Sequence, residues 1–133
     1  MKNNFYGNFE KALTKLLEFQ KIGIKDELDR AGFIQAFEFT FEQAWKAIQK
    51  KSGEEGFPVS SPMQAFSWGL SRGWITTGSE AAWVGMVKDR NLTTHTYRES
   101  LAEEIHGRIE SSYIGMFNEL LSAMKGDPED SLR

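Results

Sequence analysis

The stretch from about residue 26 to residue 52 constrains the fold most. Its apolar residues recur at helical spacing over a length that would cross a whole domain. One stripe along it consists of Ile34, Phe37, Phe41, Ala44, Trp45 and Ile48. Phe33 and Phe39 point well away from that stripe. A helix that is apolar on more than one side is expected to be central in its domain, or to lie between its own core and a partner.

Four further segments show the same helical period. They cover about residues 5–22, 62–71, 79–90 and 97–124. No part of the sequence alternates persuasively with a period of two between turns, which would indicate a strand. The sequence therefore predicts an all-α, up-and-down four-helix bundle with an additional short helix.

Residues 1–125 are predicted to form this bundle as a single domain, and residues 126–133 a tail to which we assign no function. The net charge of −3 argues against general electrostatic binding of nucleic acid, but it leaves a small local basic site as an alternative. The absence of cysteine excludes disulfides, thiolate zinc sites and cysteine nucleophiles. With only two histidines besides, we expect neither a metal site nor a cofactor.

The compartment is predicted from two further features of the sequence. Its longest apolar runs are far shorter than a membrane span, and its first residues lack the apolar core of a signal peptide. We therefore expect a cytoplasmic protein.

Two local patterns predict where helices begin. Ser61 followed by Pro62 is typical of an N-cap with proline at the first helical position. Thr96 with Glu99 three residues later predicts a capping box at the start of the last helix.

Glycines and isolated polar residues suggest how the remaining helices pack. Gly107 and Gly115 interrupt the last helix and are expected to let it bend around the core. His106 is off the apolar stripe and is expected to be a solvated surface residue. Trp74 and Ile75 follow the short helix and should fold back on the core, because two exposed apolar residues there would be unusual.

The segment Asp89–Tyr97 concentrates most of the chemistry of the sequence. It contains Arg90, Asn91, His95 and Tyr97. In one continuous helix, Arg90 and His95 would lie roughly 140° apart around the axis and could not easily converge. The β-branched pair Thr93 and Thr94 weakens a helix at this point, because the hydroxyls compete for backbone hydrogen bonds. We therefore place Arg90 near the end of one helix, and His95 and Tyr97 on the bend into the next.

These side chains fit RNA cleavage without a metal. A histidine can take the proton of a ribose 2′-hydroxyl or give one to the leaving oxygen, and an arginine can hold the phosphate. One histidine cannot conveniently be both acid and base, but a symmetric dimer would place two Arg90–His95 pairs around one phosphate. Glu38, inside the stripe of the long helix, is either a functional carboxylate or a residue at the edge of the stripe, with its carboxylate in water or paired to a neighbouring lysine or arginine.

A purely structural interpretation stays open. An arginine near a helix C-terminus stabilises the last carbonyl groups through the helix dipole. His95 can hydrogen-bond a backbone group, and Tyr97 can be a core aromatic residue with its hydroxyl satisfied. One arginine and one histidine five positions apart is a pattern that chance often produces.

Several segments together resemble a known family. They are Phe37–Thr40 with Trp45–Lys46, Ser61–Pro62, Asp89–Asn91, His95-x-Tyr97 and Leu101–Ile105. The series Arg90-x-x-x-x-His95-x-Tyr97 in an all-α chain looks like the HEPN superfamily. The sequence as a whole, over essentially residues 5–125, is similar to the nucleotidyltransferase substrate-binding proteins. These are the HepT-like partners of MNT-type minimal nucleotidyltransferases.

The resemblance implies a helical bundle that forms a homodimer and belongs to a two-component, toxin–antitoxin-like system with such a transferase. It further implies that Arg90 binds phosphate, that His95 is the acid or base, and that Asn91 positions them. Tyr97 would be the residue that the partner adenylylates. Two alternative functions follow from the resemblance. In the first, the chain is a binding subunit that either presents a substrate to the transferase or is itself the substrate. In the second, the chain is a ribonuclease toxin that the transferase inhibits. Both involve a nucleotide or RNA.

Overall fold

The protein, described here from a computed structural model covering residues 4–127, is a bundle of helices packed side by side. The helices are α1 (Gly7–Ile22), α2 (Glu27–Glu54), α3 (Pro62–Arg72), α4 (Glu80–Leu92), α5 (Glu99–Arg108) and α6 (Ile114–Lys125). A π-helical turn, Ile109–Tyr113, joins α5 directly to α6, so that these segments form one long helix. Residues 4–127 contain no strand. The predicted all-α bundle with a short additional helix, which is α3, is confirmed.

Helix α2 lies at the centre of the bundle, in contact with α1, α3 and α5. Phe33, Phe37 and Phe41 on it are fully buried. Phe37 stacks on Tyr113 with ring centroids 5.5 Å apart, and Phe41 meets Phe66 of α3 edge to face at 5.7 Å. The rings of α2 thus connect the long last helix on one side to α3 on the other. Of the two positions expected for α2, the structure shows the central one.

The short helix α3 begins and ends as its sequence predicts. The Ser61 hydroxyl accepts a hydrogen bond from the backbone N–H of Gln64 at 3.2 Å, which caps the first turn. Gly73 ends the helix in the left-handed conformation with φ of 90°, where a side chain would be strained. The chain then turns back, and Trp74 and Ile75 are buried in the core.

The capping box predicted for Thr96 and Glu99 is wrong. Helix α5 begins at Glu99, and its N-cap is Arg98, which makes no side-chain cap. The Thr96 hydroxyl donates instead to the carbonyl oxygen of Thr93 at 2.9 Å, and the Glu99 carboxylate pairs with Arg30 of α2. Both side chains therefore have partners other than the two backbone N–H groups that a capping box would satisfy.

The prediction that His106 is a solvated surface residue is also wrong. His106 is half-buried between α5 and α2, where its Nδ1 accepts a hydrogen bond from Nε of Arg30 at 3.2 Å. Its ring meets Phe33 edge to face at 5.2 Å. Phe33 lies off the main stripe of α2, so this second apolar side of α2 brings α5 close enough to cover His106.

The C-terminal end of the described chain is anchored to the bundle. The buried carboxylate of Asp127 accepts two hydrogen bonds from Arg72, at 3.0 and 2.9 Å. Most of the predicted tail, residues 128–133, lies outside the described residues. No helix within residues 4–127 is long and apolar enough to cross a membrane.

Candidate functional site

At the end of α4, threonine hydroxyl groups donate hydrogen bonds to backbone carbonyl oxygens. The Thr93 hydroxyl lies 2.7 Å from the carbonyl oxygen of Arg90, at the point where the α-helix tightens into a 3₁₀ turn, Thr93–His95. The Thr96 hydroxyl then bonds the Thr93 carbonyl, as described above. Arg90 therefore lies in the last turn of α4, and His95 and Tyr97 lie on the bend, as predicted.

Arg90 and Glu38 meet across the interface between α4 and α2. Nη1 of Arg90 lies 3.6 Å from Oε2 of Glu38 and 3.2 Å from the Thr93 hydroxyl. The same hydroxyl lies within hydrogen-bond distance of the Glu38 carboxylate, so its single proton can go either to Glu38 or to the Arg90 carbonyl. The side chains of Arg90 and Glu38 are 27% and 29% exposed, which leaves both within reach of a ligand.

His95 and Tyr97 form a second, more exposed pair. Nδ1 of His95 lies 3.4 Å from the Tyr97 hydroxyl, and the two rings meet nearly edge to face at 5.9 Å. Tyr97 is 80% exposed, which excludes the alternative that it is a core aromatic residue. The side chain of Asn91 is exposed and makes no hydrogen bond within the described chain. The structure thus joins Arg90 with Glu38 and His95 with Tyr97, but it does not bring all five predicted residues into one contact.

Sequence reasoning missed the role of Asp89, the neighbour of Arg90. Its buried carboxylate accepts two hydrogen bonds from Arg108, Nε at 2.6 Å and Nη2 at 2.9 Å, and a third from the Tyr113 hydroxyl. Burial raises the pKa of Tyr113, and the hydrogen bond to Asp89 raises this pKa further. This Asp89 network ties the last turn of α4 to α5 and the π-turn, and so fixes the backbone from which Arg90 projects.

Within residues 4–127, no cluster of metal-ligating side chains accompanies Arg90, Glu38, His95 and Tyr97. The part of the chain that the structure describes contains no group of three or more histidine, aspartate or glutamate side chains that could hold a metal ion. The groups that these four residues supply are a guanidinium, a carboxylate, an imidazole and a phenol.

Comparison with known proteins connects this arrangement to a family. A solved crystal structure of a protein from Thermus thermophilus is similar to this chain, with 36% sequence identity and a TM-score of 0.78. The similarity covers 86% of this chain and 96% of the other. No curated protein matches the chain significantly. The family described as nucleotidyltransferase substrate binding protein like matches residues 4–126, essentially the whole described bundle. The chain belongs to this family.

Proposed function

We propose that this chain is the partner subunit of an MNT-type minimal nucleotidyltransferase, in a toxin–antitoxin-like HEPN–MNT system, and that Tyr97 is the residue that the transferase adenylylates. The observation that carries this proposal is the exposure of Tyr97 on the bend after α4, with its hydroxyl 3.4 Å from Nδ1 of His95. An exposed phenol on a bend can enter the active site of another protein, which a buried one cannot. The proposal places both proteins in the cytoplasm.

The proposed transfer is a substitution at phosphorus. The Tyr97 oxygen attacks the α-phosphorus of ATP, a new P–O bond forms, and the bond to pyrophosphate breaks. The phenolic proton leaves to a base, and an unprotonated Nδ1 of His95 is within reach to accept it. The products are adenylylated Tyr97 and pyrophosphate.

The modification would change the electrostatics around Arg90. A phosphate group two residues from His95 adds negative charge and hydrogen-bond acceptors close to a guanidinium that contacts Glu38 and Thr93. Such a group would compete with any other phosphate for Arg90. Adenylylation would therefore act as a switch on whatever phosphate-containing ligand the site binds.

The test is to incubate the purified chain with its transferase and ATP, and to locate the added adenylate by peptide mass spectrometry. We expect one adenylate on the peptide that contains Tyr97 and none in the Tyr97→Phe variant. Tyr6→Phe is the matched control, because Tyr6 is only partly exposed and lies just before α1, away from the bend. Label on another tyrosine, or no label in the presence of an active transferase, would contradict the proposal.

A second candidate is a metal-independent endoribonuclease that uses Arg90 and His95 across a homodimer. It is favoured by the separation of the two side chains within one protomer, where Arg90 contacts Glu38 and His95 contacts Tyr97. Leu92, at the end of α4 beside the bend, is 39% exposed, so apolar surface adjoins the site. A second copy covering this surface would bring a second Arg90–His95 pair to the same cleft.

Cleavage of labelled RNA in the presence of EDTA distinguishes the two candidates. A ribonuclease predicts that the wild-type chain cuts and that His95→Ala and Arg90→Ala do not, whereas Arg98→Ala, which removes an exposed arginine from the same bend, still cuts. If no protein cuts RNA while Tyr97 carries no adenylate, the substrate-binding role alone is supported.

A further inference from the structure

A cavity between the start of α1 and the second half of α2 has a chemistry that the proposed function does not use. Its volume is about 380 Å³, within the range of small-molecule sites. Its polar lining consists of Asn4, Asn8, Lys11, Gln43, Lys46 and Lys50. Phe5 and Phe9 also line it, but both rings are buried in the core and offer little surface for stacking.

The charged residues that line this cavity are all positive. Lys11, Lys46 and Lys50 contribute three positive charges, and no carboxylate is among the lining residues, although the whole chain has a net charge of −3. None of these three lysines forms an ion pair with any residue of the described range. Like charges gathered in one cavity repel one another, and an anion that binds between them relieves this repulsion.

Some of the carboxylates near the cavity in sequence have partners outside it. Glu10, in the first turn of α1, pairs with Lys125 of α6, and Glu18 pairs with Lys15 along α1. Glu42, adjacent to Gln43 on α2, accepts a hydrogen bond from the indole of Trp45 at 3.2 Å. Two neighbouring carboxylates, those of Glu10 and Glu18, are thus paired with lysines outside the cavity, which leaves less negative charge to offset its three lysines.

We propose that this α1–α2 cavity binds an oligophosphate, such as the triphosphate group of a nucleoside triphosphate. Lysine ammonium groups bind phosphate oxygens as point charges with three donors each, and the amide groups of Asn4, Asn8 and Gln43 supply neutral donors. The lack of an exposed aromatic face argues that the phosphates, not a base, are recognised. A chain of two or three phosphates also matches three cations better than a single phosphate does.

The cavity is separate from the Arg90 site. None of Arg90, Asn91, His95 and Tyr97 lines it. On α2, Lys46 and Lys50 follow Glu38 by eight and twelve positions, which corresponds to about 12 to 18 Å along the helix axis. This inference therefore goes beyond the proposed function and does not depend on adenylylation of Tyr97.

The test is calorimetric titration of the purified full chain with ATP, tripolyphosphate and adenosine at low salt. We expect ATP and tripolyphosphate to bind with one site and adenosine not to bind. The variant Lys11→Gln/Lys46→Gln/Lys50→Gln should lose about tenfold or more in affinity for both phosphate ligands. The matched control, Lys21→Gln/Lys25→Gln/Lys88→Gln, removes three exposed lysines outside the cavity and should bind as the wild type does.

Circular dichroism and urea unfolding must first show that both triple variants are folded. Replacing the three lysines one at a time gives a second test, in which each substitution is expected to weaken binding. Equal losses in the two triple variants, or no binding by the wild type, would overturn the proposal. Binding of a single-stranded RNA oligonucleotide through the same lysines without binding of tripolyphosphate would also overturn it, in favour of a nucleic-acid surface. Tyr97→Phe should bind ATP normally, which separates this result from failure of the proposed function.

Discussion

Asp89 places a carboxylate inside the bundle one residue before Arg90, and side chains from two other elements hold it there. Removing a carboxylate from water is costly unless opposite charge and hydrogen bonds replace the water. Arg108 supplies the charge and two donors, and Tyr113 supplies a third donor. A buried carboxylate that accepts three hydrogen bonds has little freedom to move. The Asp89 network therefore holds the end of α4 in one position.

The pKa of Tyr113 predicts how stability depends on alkaline pH. Because burial and the bond to Asp89 raise this pKa above its ordinary value near 10, the contribution of Tyr113 to stability is complete below about pH 10. It is lost as the pH rises through the folded-state pKa. Tyr113→Phe should lower the free energy of unfolding by about 1–3 kcal/mol at pH 7. It should also make the decline above pH 10 shallower than in the wild type.

Urea unfolding at pH 7, 9 and 10.5 measures both effects of this substitution. Tyr6→Phe is the control for loss of a phenol from a partly exposed position. If Tyr113→Phe declined with pH as steeply as the wild type, titration of Tyr113 would not contribute to the alkaline loss.

For individual residues, the sequence indicated which ones lie near the site but not which side chains contact each other. Arg90, His95 and Tyr97 are close in sequence, so their placement on a helix end and a bend followed from the two threonines between them. Arg108 and Tyr113 lie 19 and 24 positions after Asp89. Their approach depends on how the last helix packs against α4, which no local pattern specifies.

Among the helices, two glycines illustrate how the same substitution can have opposite effects. Gly73 ends α3 with φ of 90°, a conformation that costs other residues about 1–2 kcal/mol. Gly107 lies inside α5, with nothing within 4 Å of the position that a Cβ atom would occupy. Glycine in a helix is less favourable than alanine by about 0.5–1 kcal/mol, because it loses more freedom on folding.

Gly73→Ala should therefore lower the free energy of unfolding by about 1–2 kcal/mol, whereas Gly107→Ala should raise it by about 0.5–1 kcal/mol. Thermal and urea unfolding of the two single variants and the double variant measure the effects. Each variant is the control for the other, since both add one methyl group. Changes of the same sign would contradict the argument from backbone conformation.

The last helix shows what its apolar spacing could and could not predict. Its buried residues at steps of three and four are Ile105, Ile109, Tyr113, Met116, Leu120 and Met124. Most steps are of four residues, longer than the 3.6 of an α-helix, so the stripe would drift around a regular helix. The π-turn holds about one extra residue and removes roughly 100° of that drift. The two glycines suggested a bend, but the long steps were the signal for a widened turn.

Across the whole molecule, Arg72 connects three distant parts of the chain. Its guanidinium donates to Asp127 and pairs with Glu55 at the end of α2, and it lies over the rings of Trp68 and Trp74 at 5.2 and 5.5 Å. The hydrogen bond to Glu55, followed by the contacts with Asp127, raises the pKa of Arg72. The end of the described chain is thus held by a buried ionic cluster that also fixes α2 against α3.

Asp127→Asn should lower the free energy of unfolding by about 2–4 kcal/mol, because it removes one of the two carboxylates that balance a largely buried arginine. Urea unfolding at pH 7 measures this effect. Glu103→Gln, which changes an exposed carboxylate on α5, should stay within about 0.5 kcal/mol of the wild type. A loss for Asp127→Asn as small as that of the control would show that the C-terminal contact does not stabilise the bundle.

The architecture as a whole was predictable because helical period, caps and length all point to one class of fold. The long-range ionic contacts were not, since Asp127 belongs to a segment that sequence composition marks only as a helix breaker. The same limit applies to the α1–α2 cavity. Lys11 is separated from Lys46 and Lys50 by more than thirty residues, and only the packing of α1 on α2 places the three around one space.

The π-turn has a consequence for how related chains compare in length. A widened turn of this kind holds one residue more than the α-helical turn it replaces, while the helix on each side keeps its direction. A relative lacking one residue between Ile109 and Tyr113 can therefore form an unbroken α-helix and superpose on this chain before and after the turn. A single-residue gap within this segment is the trace that such an ancestral insertion would leave in an alignment.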